Sequence, residues 1–159
     1  MKKIHNGYSE MANYNCFGCA AHNPIGLKLE FFEDNEYVVS KWIPSNNYEG
    51  YHNILHGGIQ ATLMDEIANW VIINKLKQTG VTKSLQVNYA KSVYIDKGEI
   101  TISAKVSSIQ KRDVTIYAEI KDCDGLMRSS ALICYTLIPG VVAIIRNQFP
   151  GYDQFYLEE

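Results

Sequence analysis

One stretch of the chain, Gly57–Gln78, limits the folds available to it. Ile59, Leu63, Ile67 and Val71 recur every four residues, with Met64, Ala68 and Ile72 beside them. Trp70, Ile73 and Leu76 widen the stripe, and no lysine or arginine occurs before Lys75. That period predicts an α-helix, and one with almost no polar face must be enclosed by the rest of the molecule. Lys75 and Lys77 suit its C-terminal dipole, and Gly80 suits a cap just beyond. Everything downstream alternates with period two: Leu85, Val87 and Tyr89; Ile100, Ile102, Ala104 and Val106; Val114, Ile116, Ala118 and Ile120; then Met127–Leu137 after the turn Asp122–Gly125. Upstream, Leu27–Phe31 alternates, Glu33–Glu36 reads as a turn, and Tyr37–Ile43 is a strand closed by Pro44, so these two predict a hairpin. Short links between consecutive strands call for antiparallel pairing. The expectation is an α+β fold in which an antiparallel sheet of about six strands wraps one long central helix.

A chain of 159 residues is about one domain and can bury a core without staples. Residues 1–139 read as that domain, with an N-terminal arm over 1–26, and residues 140–159 as a tail lying on the surface or at an interface. Fifteen basic against seventeen acidic residues give a net charge of −2, with no cationic surplus to follow a phosphate backbone, so nucleic acid is not expected. No stretch approaches a membrane span; the best, Ile67–Ile73, is short and preceded by Asp65 and Glu66. The opening residues carry two lysines but no apolar run behind them, which points to the cytoplasm. Four cysteines then read as free thiols. Cys16, Cys19 and His22 form a C-x2-C-x2-H cluster, but structural zinc needs four ligands, so no metal is expected there.

The stretch with chemistry in it is His56-Gly57-Gly58 at the start of the helix. Its first amides are unpaired donors at the positive end of the helix dipole, where a polarised carbonyl or oxyanion is stabilised. Asp65 follows eight residues after Gly57, and an acid within an apolar helix is costly unless paired or functional. A carbonyl-polarising amide and a carboxylate suffice to hydrolyse an activated acyl group. The structural alternatives are glycines that only make a turn, a His56 that only caps the helix, and acids paired to Lys83 or Arg128. The long loop 44–56 precedes all this, and loops of that length are more often functional than idle.

CFGCAAHNPIGLKLEF, WIPSNNYEGYHNILHGGIQATLMDE and the strand-rich second half together resemble the hotdog-fold acyl-CoA thioesterases of the phenylacetate-pathway (PaaI-like) group. The resemblance runs from Cys16 to Leu137; the tail from Val141 lies outside it. It implies that Gly57, after His56, polarises the thioester carbonyl, and that Asp65 acts as general base or nucleophile. It implies that Thr82 helps place the attacking water. Gly58, Asn53 and Lys83 are the candidate substrate-binding residues. It also implies a homodimer or homotetramer with the site at the subunit interface, acyl-CoA as the partner molecule, and no cofactor. One position departs from the pattern: Gly50 stands where some relatives carry Asn or Gln, with Asn53, Asn47 or His52 as substitutes from the same loop.

The residues support the same chemistry independently. A thioester is already activated, so a carboxylate and one strong donor can replace a nucleophilic triad, and the chain has no G-x-S-x-G. Neither nucleotide-binding glycine motif is present, which leaves coenzyme A to scattered cations such as Lys83, Lys91, Lys105 or Arg112. Two other activities fit the same groove. One is acyl-CoA binding or sensing without turnover; the other is a hydratase or dehydratase using His56 or His52.

Overall fold

The computed structural model describes residues 1–156; the last three residues of the tail, 157–159, lie outside the described residues. Seven strands form one antiparallel sheet: β1 (Lys2–Lys3), β2 (Phe32–Asp34), β3 (Tyr37–Trp42), β4 (Thr79–Tyr89), β5 (Ile100–Gln110), β6 (Asp113–Lys121) and β7 (Met127–Ile138). Their order in the sheet is β1-β2-β3-β5-β6-β7-β4. The helix α1 (Gly57–Val71) lies between β3 and β4 in sequence and packs on β3, β5, β6 and β7. This is the hotdog fold. β3 does form a hairpin, but its partner is β2 and not the expected Leu27–Phe31; Glu33 and Asp34, expected in the turn, belong to the strand. β4 does not pair with its successor β5; it closes antiparallel on β7 and ends the sheet.

The sheet covers only one side of α1. Leu63, Met64, Ile67 and Ala68 are fully buried against Ile102, Ala104, Ile116, Ala118 and Ile133. The other side is closed by the arm and the tail. Phe31 stacks on Trp70 with ring centroids 4.4 Å apart, and Phe155 meets the same indole edge-on at 5.6 Å. A helix without a polar face is thus satisfied from two directions. Trp70 is the keystone of the second layer, and its truncation to Ala should cost about 3–5 kcal/mol. The tail contributes Ala143 from α2 (Gly140–Asn147), and then Phe149 and Phe155, all buried.

Three local features differ from the sequence expectation. Leu27–Phe31 buries alternate residues but is not part of the sheet. Its amides are bonded to the arm instead, Leu27 N–H to Phe17 O at 2.8 Å and Leu29 N–H to Gly18 O at 2.9 Å. Lys28, at φ 56°, breaks the ladder between them. The helix does not run unbroken to Gln78; Ile72–Leu76 form a π-helical turn, and Lys77 caps it in the left-handed conformation at φ 53°. Gly80 is therefore not the cap. It sits in β4, where a Cβ would come 3.1 Å from Thr136 O, so its role is close approach to β7.

Candidate active site

Asp65 lies half-buried in the middle of α1, facing the β4–β7 edge of the sheet. Tyr135 places its hydroxyl 2.8 Å from both Oδ1 and the main-chain carbonyl of Asp65. The Thr82 hydroxyl donates to the same Oδ1 at 3.1 Å. Thr82 and Tyr135 are directly opposite one another in the β4–β7 ladder. Immediately after them the register slips at Lys83, a bulge of the kind that re-aims side chains beside a site. Burial, with the Asp65 charge next, pushes the Tyr135 phenol well above its ordinary range, so it remains a donor at any working pH. Two hydroxyls thus fix one carboxylate oxygen, while Oδ2 has no partner among the described residues.

The start of α1 is the second half of the site. His56 is the N-cap, and its Nδ1 accepts from the Gly58 amide at 2.9 Å, which assigns the proton of the neutral ring to Nε2. The Gly58 amide is therefore engaged within the protein. The Gly57 amide has no acceptor among the described residues, and its carbonyl receives the Tyr89 hydroxyl at 2.8 Å. A Cβ at Gly57 would stand 3.3 Å from the Tyr89 ring, so the approach to this amide is kept narrow by an aromatic wall. An anion or polarised carbonyl arriving at Gly57 meets one free donor and the helix dipole together.

Other candidates have different duties. Asn53 sits at φ 61°; its Oδ1 accepts from Asp96 N–H at 3.0 Å and its own N–H donates to Glu49 at 2.8 Å, so it ties the loop to the segment before β5. Lys83 pairs with Asp113 at 2.5 Å and Arg128 with Asp122, so neither neutralises Asp65 or Glu66. At Gly50 a Cβ would lie 3.4–3.5 Å from His56, so the position has room for a side chain against the imidazole. Tyr135 and Tyr89 are the contacts that sequence reasoning missed. Tyr135 was visible only as a residue of an alternating strand, and nothing local marks its partner.

Gly57 and Asp65 stand eight residues apart in α1, about 12 Å along the helix axis within one chain. His22 does not join the cysteines; its ring meets Tyr14 edge-on, and the carboxylate of Glu66 lies with the two sulfurs, all three ligand atoms within 4.8 Å. Nor do the large cavities mark the Asp65 site. The larger, about 810 Å³, runs under the arm beside Phe31, Trp70 and Asn74, and neither Asp65, Gly57 nor Thr82 lines it. Asp65 instead faces an open surface along β4, whose outer edge is unpaired among the described residues and carries exposed Val81, Leu85 and Tyr89.

Residues 52–127 match the family described as the thioesterase superfamily. No functionally curated protein matches the chain. Among solved structures, a thioesterase superfamily protein superposes with a TM-score of 0.71 at 18% identity, covering 85% of this chain and 70% of that one. A hypothetical thioesterase from Streptococcus pneumoniae TIGR4, solved with coenzyme A, gives 0.63 at 24% identity over 69% and 87% of the two chains. A Streptococcus mutans UA159 protein bound to acetyl CoA gives 0.65 at 16% identity over 81% and 96%.

Proposed function

We propose that this chain, a hotdog-fold protein whose residues 52–127 match the thioesterase superfamily, hydrolyses an acyl-CoA thioester at a site shared by two copies. The observation that carries the reading is Asp65: one oxygen held by Thr82 and Tyr135, the other free, beside an exposed strand edge. The Streptococcus relatives solved with coenzyme A and acetyl CoA support the ligand class. The pneumococcal protein has also been solved in a Thr-to-Ala and an Asp-to-Ala form, the residue types paired here as Thr82 and Asp65.

The chemistry follows from the two donors and the carboxylate. The Gly57 amide binds the thioester oxygen and stabilises the charge that grows there as the carbonyl carbon becomes tetrahedral. Asp65 either attacks that carbon directly, forming an acyl anhydride that water then cleaves to free the acid and the carboxylate, or takes a proton from the attacking water, with Thr82 holding the water beside it. Coenzyme A then leaves as the thiolate, a good leaving group, which is why no stronger nucleophile is required. Both groups must lie within about 3 Å of one reacting carbonyl, while about 12 Å of helix rise separates them in one chain. The Gly57 amide of one copy therefore works with Asp65 of the other. The exposed apolar residues and open edge of β4 supply the surface for that pairing. A cytoplasmic setting and membership of the PaaI-like group belong to the same proposal.

The test is release of free thiol from a panel of fatty and aromatic acyl-CoAs, followed with a thiol reagent. Multiple turnover supports hydrolysis. Saturable binding without thiol release selects the second reading, a binding or sensing module, which the missing side chain at Gly50 favours.

A further inference from the structure

One residue along α1 from Asp65, and about 100° around it, Glu66 is covered by the N-terminal arm and carries a separate cluster. The Cys16 thiol donates toward both oxygens of Glu66, at 3.5 and 3.6 Å, and the Trp70 indole N–H donates to Oε1 at 3.3 Å. The Gly18 amide donates to Cys16 Sγ at 3.3 Å, and the Tyr14 hydroxyl meets Cys19 Sγ at 2.6 Å. Gly18 admits this arrangement because any Cβ there would overlap the Glu66 carboxyl. A cavity of about 360 Å³, separate from the Asp65 site, opens onto Cys16, Cys19, Glu66 and Asn69. Cys16 is partly exposed and Cys19 is buried.

We propose that Cys16 and Cys19 are a reversible dithiol–disulfide pair that reacts with small hydroperoxides entering through this cavity. The two sulfurs are not equivalent. Hydrogen bonding from Cys19, and from the Cys19 and Gly18 amides, outweighs burial and lowers the Cys16 thiol to about 5. The hydrogen bond with Cys16, together with burial, pushes Cys19 upward, so it keeps its proton. Burial raises Glu66 to about 7, which lets it hold a proton handed over by Cys16. Cys16 is thus the attacking thiol and Cys19 the resolving one.

The steps balance. Cys16 passes its proton to Glu66, and the thiolate attacks a peroxide oxygen. The O–O bond breaks, the leaving hydroxide takes the proton back from Glu66 as water, and Cys16 becomes a sulfenic acid. Cys19 then attacks that sulfur; its proton departs with the sulfenic hydroxyl as a second water, and the S–S bond forms. Two thiols and one hydrogen peroxide give one disulfide and two waters. A thiol reductant reverses the change.

Treatment of the full chain with stoichiometric hydrogen peroxide at neutral pH, followed by intact-mass measurement and peptide mapping, tests this. The expected product has lost two hydrogens, joins Cys16 to Cys19, and reverts with dithiothreitol. It should form at least about tenfold faster than the exposed Cys123 is oxidised, because Glu66 stands beside Cys16 to protonate the leaving hydroxide, and positioned acid assistance is worth about 10²-fold or more. Cys19→Ser should stop at a sulfenic acid on Cys16, trapped by dimedone. Oxidation of Cys123 with Cys16 and Cys19 still alkylatable would overturn the proposal. So would the absence of dimedone adduct in Cys19→Ser, or purified protein carrying one zinc per chain on these thiols.

Discussion

The Tyr135 hydroxyl lies 2.8 Å from Oδ1 of Asp65, across from a strand that the sequence leaves 70 residues away from the helix. This contact, with Thr82 beside it, turns a half-buried acid in an apolar helix into one with a fixed orientation and a free second oxygen. Tyr135→Phe keeps the ring and removes only the donor. It should lower stability by about 1 kcal/mol. It should also lower kcat by about tenfold with little change in KM, because Tyr135 positions the carboxylate and does not touch substrate. Steady-state kinetics and thermal melts on one preparation separate the two effects; a change in KM alone would count against the positioning role.

Gly57→Pro deletes the proposed oxyanion donor without deleting a helix bond. The residue is the first of α1, where proline is well tolerated, and His56 already has the extended ψ of 134° that proline requires of its predecessor. The Tyr89 ring must give by a few tenths of an ångström. Turnover should fall by about 10²–10³-fold while the melting temperature changes little. A Gly57→Pro protein with near wild-type kcat would remove Gly57 from the mechanism.

A site shared by two chains makes a sharper prediction. Light scattering at micromolar concentration should return at least twice the 18.0 kDa of one chain. If Gly57 of one copy serves Asp65 of the other, co-refolded Gly57→Pro and Asp65→Asn chains form mixed dimers with one intact site in two. Random pairing then restores about a quarter of wild-type turnover from two inactive parents. No recovery, from chains shown to have exchanged, would place both groups in the same subunit.

The Glu66 cluster has a pH signature. Burial holds Glu66 near 7 in the folded chain against an ordinary 4.5, so between those values the folded state binds a proton that the unfolded state has released. Stability contributed by this group is therefore present below about pH 4.5 and lost as pH rises toward 7. Cys16, lowered to about 5, titrates in the opposite sense and must be removed to see it. Compared with Cys16→Ser, the double variant Cys16→Ser/Glu66→Gln should lack this loss, so its relative melting temperature should climb across pH 4.5–7. A flat difference would mean that Glu66 is not held protonated.

What could be read in advance was what short-range pattern encodes. The buried helix announced itself through Ile59, Leu63, Ile67 and Val71, the four strands after it through period two, and Asp65 through being an acid where none is cheap. Long-range pairing was not readable. β4 and β7 are joined through the register Thr82↔Tyr135, with a bulge at Lys83, and no local signal fixes that register. The same gap hid Glu66, whose partners lie 50 residues earlier at Cys16. The glycine between the cysteines was the clue, since Gly18 is where the carboxyl fits. Leu27–Phe31 shows the limit of periodicity: its alternation reports burial, and Leu27, Leu29 and Phe31 are indeed buried, but their backbone partners are in the arm. Asn53 looked like a free loop side chain because its left-handed conformation and its bond to Asp96 are tertiary facts.

Asp65→Asn asks whether Asp65 is the reacting carboxylate. Asparagine keeps the shape, and keeps an oxygen for Tyr135 and Thr82 to donate to, but loses charge and basicity. Measured on acyl-CoA with kcat and melting temperature from the same preparation, turnover should fall by at least about 10²-fold while the fold is retained. Glu66→Gln, on a different face of the helix and bonded to Cys16 and Trp70, should keep most of its turnover. An Asp65→Asn protein that melts lower yet hydrolyses acyl-CoA at near wild-type rate would exclude Asp65 as the reacting carboxylate.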